Sequence, residues 1–247
     1  MIAPAGPLTA DRLEKSVERC HGLGLEPIVF PAALARMAYL AGSDAQRLHD
    51  LQSAFDDPRI DAVWALRGGY GTTRILGQLD VRAMASQPKA YIGFSDNTAV
   101  HALLSGAGIV SFHGPHPGAE FPMECAAIFK QVLFDSRPAG HLEIRDTDPQ
   151  PRTLNGGIVE APLTGGNLAL LAALCGTRQC ISARDSILFL EDVAEPAYRV
   201  DRMVIQLRDA GVLDGVRGLA LGRFSETSAD ETALVDELGV SRTVVRG

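Results

Sequence analysis

Residues 91–104 read YIGFSDNTAVHALL. Tyr91 to Phe94 is a short apolar run, Ser95 and Asp96 stand side by side behind it, and from Thr98 onward apolar residues recur at helical spacing. A buried strand that turns directly into a helix is the joint from which open parallel sheets are built. A serine at that joint holds its oxygen clear of the sheet, and the next backbone N–H points toward an anion forming beside it. Gly93 gives room on one side, but Asn97 stands where the usual elbow GxSxG has its second glycine. The same serine also serves as an ordinary helix N-cap with Asp96 in the first turn, and this stretch alone leaves both readings open.

The flanking segments repeat the rhythm. On the N-terminal side, residues 9–23 carry Leu13, Val17 and Cys20 on one helical face behind a Thr9 cap, with Gly22 and Gly24 as stops. EPIVF at 26–30 reads as a short strand, residues 44–55 as a helix, and Ala62 to Leu66 as an apolar strand opening into the glycines of RGGYG, 67–71. RAMASQ is a short helix, KAYIGF a strand, NTAVHALLSGAG a helix and IVSFHG a strand. Ligands bind at the carboxyl ends of the strands in such a sheet, so RGGYG and Ser95 fall on one edge.

Residues 136–155 are polar and proline-rich, which predicts a linker with at most one strand between a domain at 1–135 and a second at 156–247. Beyond it, GGIVEAPLTGGNLALLAALCGT and the stretch from Ser186 to Phe224 alternate strand, turn and amphipathic helix again. The expected fold is therefore α/β, with an N-terminal Rossmann-like parallel-sheet domain and a smaller C-terminal α/β domain.

With 247 residues and 46% hydrophobic, the chain can bury real cores, and its net charge of −7 lacks the basic face that nucleic acid requires. A small polar partner fits better. No run approaches the roughly 20 apolar residues of a membrane helix, and MIAPAGPLTADR lacks the features of a signal peptide, so a cytoplasmic location is expected. Cys20, Cys125, Cys175 and Cys180 form no CxxC pair and have no histidine at ligand spacing; buried thiols, no metal and no cofactor are expected.

RGGYG lacks both GxGxxG spacing and a P-loop lysine, so it reads either as a plain turn or as a cradle of amides for an oxyanion. Glu191 and Asp192, directly after the apolar run ILFL, stand where a carboxylate could orient a histidine, or they simply end a solvated strand.

Taken in order, APAGP, RGGYGTTRIL, YIGFSDNTAVHALL, FHGP, LTGGNLALLAALCGT and LFLEDVAEPAYRVDRMVIQLRDAGVLDGVRGLALGRF resemble the LD-carboxypeptidase family of serine peptidases over nearly the whole chain. The resemblance implies a Ser-Glu-His triad in which Ser95 is the nucleophile and Glu191 the carboxylate. It places the oxyanion hole at the amides of Asp96 and the Gly68–Gly69 turn. It also implies a cytosolic substrate, murein tetrapeptide, from which a terminal D-alanine is released, and a homodimer. A related branch cleaves other amide conjugates, such as peptide-nucleotide antibiotics. Arg67 and Arg74 flank the glycine loop as candidate partners for the substrate's terminal carboxylate, Arg67 being equally suited to a structural ion pair.

The family's triad histidine lies in a C-terminal Gly-His motif, whereas the six histidines here, His21, His49, His101, His113, His116 and His141, all precede residue 142. His113 matches a family position without the triad role, and a structural role is expected for it, for His101 and for His116. LGVSRTVVRG, 238–247, reads as the strand ahead of the motif. The expectations that follow are a truncated or frameshifted peptidase, or a pseudoenzyme that binds muropeptide without cleaving it. As given, the chain should be nearly inactive, because serine stays protonated without a base.

Overall fold

The computed structural model describes residues 1–121, 123–141 and 151–225. Along them run α1 (Ala10–Gly22), α2 (Asp44–Asp56), β1 (Ala62–Trp64), α3 (Val81–Ser86), β2 (Ala90–Gly93), α4 (Thr98–Gly106), β3 (Ser111–His113), α5 (Met123–Leu133), β4 (Leu163–Asn167), α6 (Leu168–Leu174), β5 (Ile187–Val193), α7 (Ala197–Asp209) and β6 (Gly218–Ser225). The strands form two parallel sheets of three, β1-β2-β3 and β4-β5-β6, so the molecule is α/β with one sheet in each half.

The apolar runs of the first sheet are explained by what covers it. Successive side chains of a strand point to opposite faces. Val63 and Tyr91 meet Phe55, Ile75, Met84, Val100 and Leu104 on one side, while Trp64 and Ile92 meet Cys20, Ala33 and Phe129 on the other. Both faces are dry, which is why the strands are apolar rather than alternating. Ile2 extends this sheet by a parallel bridge to Ala65. In the second sheet, Leu188 and Leu190 pack on α6 and α7 through Leu171, Val200, Val204 and Leu207. The helix starts follow local chemistry: Ser43 and Gln46 form a reciprocal capping box on α2, and Asp80 accepts from Ala83 N to cap α3.

EPIVF is not a strand. Pro27 has no N–H to give, and the segment's bonds to its neighbour run through Met1 alone, whose amine donates to Ile28 O while Phe30 N donates to Met1 O. Helix α5 was not anticipated; its Phe129 stacks on Trp64 at 4.9 Å, so tertiary contact fixes it. Of the four thiols expected to be buried, Cys20 is, Cys175 and Cys180 are half-buried and Cys125 is exposed. The segment LGVSRTVVRG, and residues 142–150 where a linker strand was allowed, lie outside the described residues. No helix among the described residues is long and apolar enough to cross a membrane.

Candidate active site

Strand β2 ends at Gly93, and Phe94 is still extended at φ −140°. Ser95 then swings to φ +62°, the left-handed region that costs a residue with a Cβ on the order of 1 kcal/mol, and a short 3₁₀ turn over Ser95–Asn97 leads into α4. The cap position of α4 belongs to Asn97, so capping does not account for the serine. A Cβ at position 93 would lie 2.6 Å from that of Asn97; only glycine allows so tight a reversal. Asn97, a departure from the elbow pattern in the sequence, is buried and braces the turn. Its Nδ2 donates to Phe94 O (3.0 Å) and Arg67 O (3.2 Å), and its Oδ1 accepts from the Tyr91 hydroxyl at 2.6 Å.

The RGGYG turn reaches the same point from β1. A Cβ on Gly68 would sit 2.9 Å from Ser95 Cβ and 3.2 Å from Ser95 Oγ, so the backbone of the turn presses against the serine. Gly69, at φ +112°, packs on Gly6 of the N-terminal loop. Among the described residues, no backbone–backbone hydrogen bond is donated by the amides of Gly68, Gly69 or Asp96. These donors are available to a ligand. Asp96 itself is buried: its Oδ2 accepts from Thr72 N at 2.9 Å, its carbonyl accepts from Thr72 Oγ1 at 2.7 Å, and burial pushes its carboxyl above the usual range.

Glu191 is buried near the end of β5, beside the register shift that separates Leu190 from Asp192 in the pairing with β6. This strand end is not solvated. Its carboxylate faces His113, at the end of β3, with Oε1 3.5 Å from Nε2, inside ion-pair range but long for a hydrogen bond. Both ring nitrogens of His113 are buried without a hydrogen-bond partner, as is Glu191 Oε1, so no hydrogen bond joins His113 to Ser95. The rings of Phe94 and Phe189 stand edge-on to the imidazole, at 5.0 and 5.8 Å. The structure thus brings an imidazole to Glu191 that the sequence reading assigned to structure alone. The missed signal was position, since His113 pairs in register with Gly93, two residues before the serine.

The neighbouring Asp192 has another task. It accepts from Asn167 Nδ2 (2.8 Å), Ala169 N (2.9 Å) and Val193 N (2.8 Å), tying β5 to the start of α6; burial raises its pKa. Thr98, at the start of α4, accepts from Asn167 N at 3.0 Å, joining the two halves at the site. His101 and His116, for which a structural role was expected, are each hydrogen-bonded to the protein. His101 bridges Ser111 Oγ (2.8 Å) and Gly93 O (3.0 Å), His116 contacts Ala65 O at 3.1 Å, and burial lowers each to about 4. Arg67 reaches the N-terminal loop, donating to Pro7 O at 2.5 Å. Arg74 grips Asp44 with Nε and Nη2, at 2.7–3.0 Å. Among the described residues no group of three or more His, Cys, Asp or Glu could hold a metal.

Comparison with known proteins meets this geometry. Residues 1–114 match the LD-carboxypeptidase N-terminal domain and residues 160–245 the LD-carboxypeptidase C-terminal domain. The murein tetrapeptide carboxypeptidase of Pseudomonas aeruginosa is 36% identical over 240 residues, covering 94% of this chain and 78% of that protein. The crystal structure of muramoyltetrapeptide carboxypeptidase from Oxalobacter formigenes superposes with a TM-score of 0.80 at 32% identity, over 98% of this chain and 84% of that one. The microcin C7 self-immunity protein MccF, in complex with aspartyl sulfamoyl adenosine, shares the fold at a TM-score of 0.84 and 21% identity, with the same coverage.

Proposed function

From the premise that this chain belongs to the LD-carboxypeptidase family of serine peptidases, we propose that it acts on murein tetrapeptide in the cytoplasm, with Ser95 attacking the bond to the terminal D-alanine. The observation that carries this reading is the strained elbow: Ser95 at φ +62° with the Gly68 backbone against its Oγ. Attack makes the scissile carbonyl oxygen negative, and the amides of Asp96 and Gly69 form the hole that receives it. A hole of this kind acts because its donors are fixed before the charge develops. Glu191 stands where a triad carboxylate orients the imidazole that takes the serine's proton, and Arg67 meets the terminal carboxylate of the substrate.

In the conformation described, the imidazole beside Glu191, that of His113, is not hydrogen-bonded to Ser95. Calorimetric binding of tetrapeptide and of a peptidyl-nucleotide conjugate, with Arg67→Ala beside the wild-type chain, tests the reading. Tetrapeptide should bind more tightly than the conjugate and lose about tenfold with Arg67→Ala. Preferential binding of the conjugate, or unchanged affinity in the variant, would contradict the substrate or the arginine's role respectively.

A further inference from the structure

Arg47 is the largest fully buried side chain of the molecule's described part, at 0% exposure, and nothing in the reaction as proposed above uses it. A buried cation is costly unless its donors are satisfied, so where they go is informative. Nη1 donates to Pro4 O and to Gly71 O, each at 2.7 Å, and Nη2 pairs with Asp44. Asp44 in turn is held from outside by Arg74.

The carbonyl of Gly71 and the N–H of Thr72 belong to one peptide unit, and they point in opposite directions because the unit is planar and trans. Arg47 holds the carbonyl end, while Asp96 Oδ2 holds the N–H end at 2.9 Å. A buried cation and a buried carboxylate therefore grip the two ends of one peptide plane beside the nucleophile. The same logic applies one step away. Gly6 N donates to Gly68 O at 3.0 Å, which turns the Gly69 N–H of that peptide to the side opposite Gly6. Gly6 lies two residues from Pro4, whose carbonyl Arg47 also holds. Position 71 must be glycine for this, since at φ +141° a Cβ there would fall 2.7 Å from Arg47 Nη1.

We infer that Arg47 is a positioning residue: through Gly71 and Pro4 it fixes the Gly68–Gly69 turn so that the Gly69 amide is aimed where the oxyanion forms. The inference rests on the reading of Ser95 as nucleophile. Arg47 touches no substrate; it sets the direction of a donor.

The test uses a peptide boronate with boron at the scissile-carbonyl position, which becomes a tetrahedral anion on Ser95, beside the unreacted tetrapeptide as a ground-state ligand. Arg47→Met should weaken the boronate by about 30-fold or more, in the range of losing an oxyanion donor, and leave tetrapeptide affinity within about threefold. Arg47→Lys, which restores charge without the fork, should fall between. Amide hydrogen exchange in 68–72 should quicken about tenfold in Arg47→Met while that of α4 and β2 is unchanged. Equal loss for both ligands, or no selective loss, overturns the inference. If Arg47→Met does not fold, Asp44→Asn decides: it removes the counter-charge and leaves the donors, so a smaller selective loss is expected, and equal losses refute it. Should the wild-type chain bind tetrapeptide but form no boronate adduct, the Ser95 reading fails, and exchange in 68–72 alone then upholds or refutes the tether.

Discussion

Ser95 holds a backbone conformation that its own Cβ resists, and such strain persists only where surrounding structure over-determines it. Here the bracing is Asn97 on one side and the Gly68 backbone on the other. The consequence is measurable without any assay of activity. Ser95→Ala and Ser95→Gly both delete the oxygen, but only glycine releases the left-handed strain, worth about 1–2 kcal/mol, against about 0.5–1 kcal/mol of extra unfolded-state entropy. Ser95→Gly should therefore be more stable than Ser95→Ala by about 0.5–1 kcal/mol of unfolding free energy, read as a higher denaturant midpoint. An alanine variant as stable as the glycine one would mean that the elbow stores no strain.

At the scale of elements, α4 is the hinge between site and core. Its His101 bridges β2 and β3, and its Thr98 receives the end of β4. His101 and His116 titrate at about 4 in the folded chain against 6.5 for a free side chain, because burial opposes their charged forms. The unfolded chain thus binds more protons between these values. The stability that the neutral histidines contribute is present above pH 6.5 and is lost as pH falls toward 4, at up to about 1.4 kcal/mol per pH unit for each. The raised carboxyls of Asp96 and Asp192 work the other way, since protonation relieves their burial, and they offset part of the loss at the acid end. Unfolding free energies at pH 7 and pH 5 should differ accordingly, and His101→Gln should roughly halve the slope. A slope untouched by that change would show that His101 is not held neutral by the fold.

At the scale of the molecule, what the sequence made legible was what depends on local pattern. The strand–turn–helix around Ser95, the glycine turn after β1 and the carboxylates closing β5 follow from apolar runs, glycine and spacing. What stayed hidden depends on partners distant in the chain. EPIVF has a strand's composition but finds only Met1 to pair with, α5 is fixed by stacking on Trp64, and Arg47 looks like any surface helix arginine until the two loops it ties are seen together. His113 belongs with these. It meets Glu191 only because the end of β3 and the end of β5 face each other across the two halves.

Ser95 is proposed to carry LD-carboxypeptidase chemistry. The deciding measurement is release of the terminal amino acid from two synthetic tetrapeptides that differ only in ending with D-alanine or L-alanine, by the wild-type chain and by Ser95→Ala. Release of D-alanine alone, removed by Ser95→Ala, is the expected result. Release of L-alanine at the same rate, or D-alanine release that survives in Ser95→Ala, would contradict it.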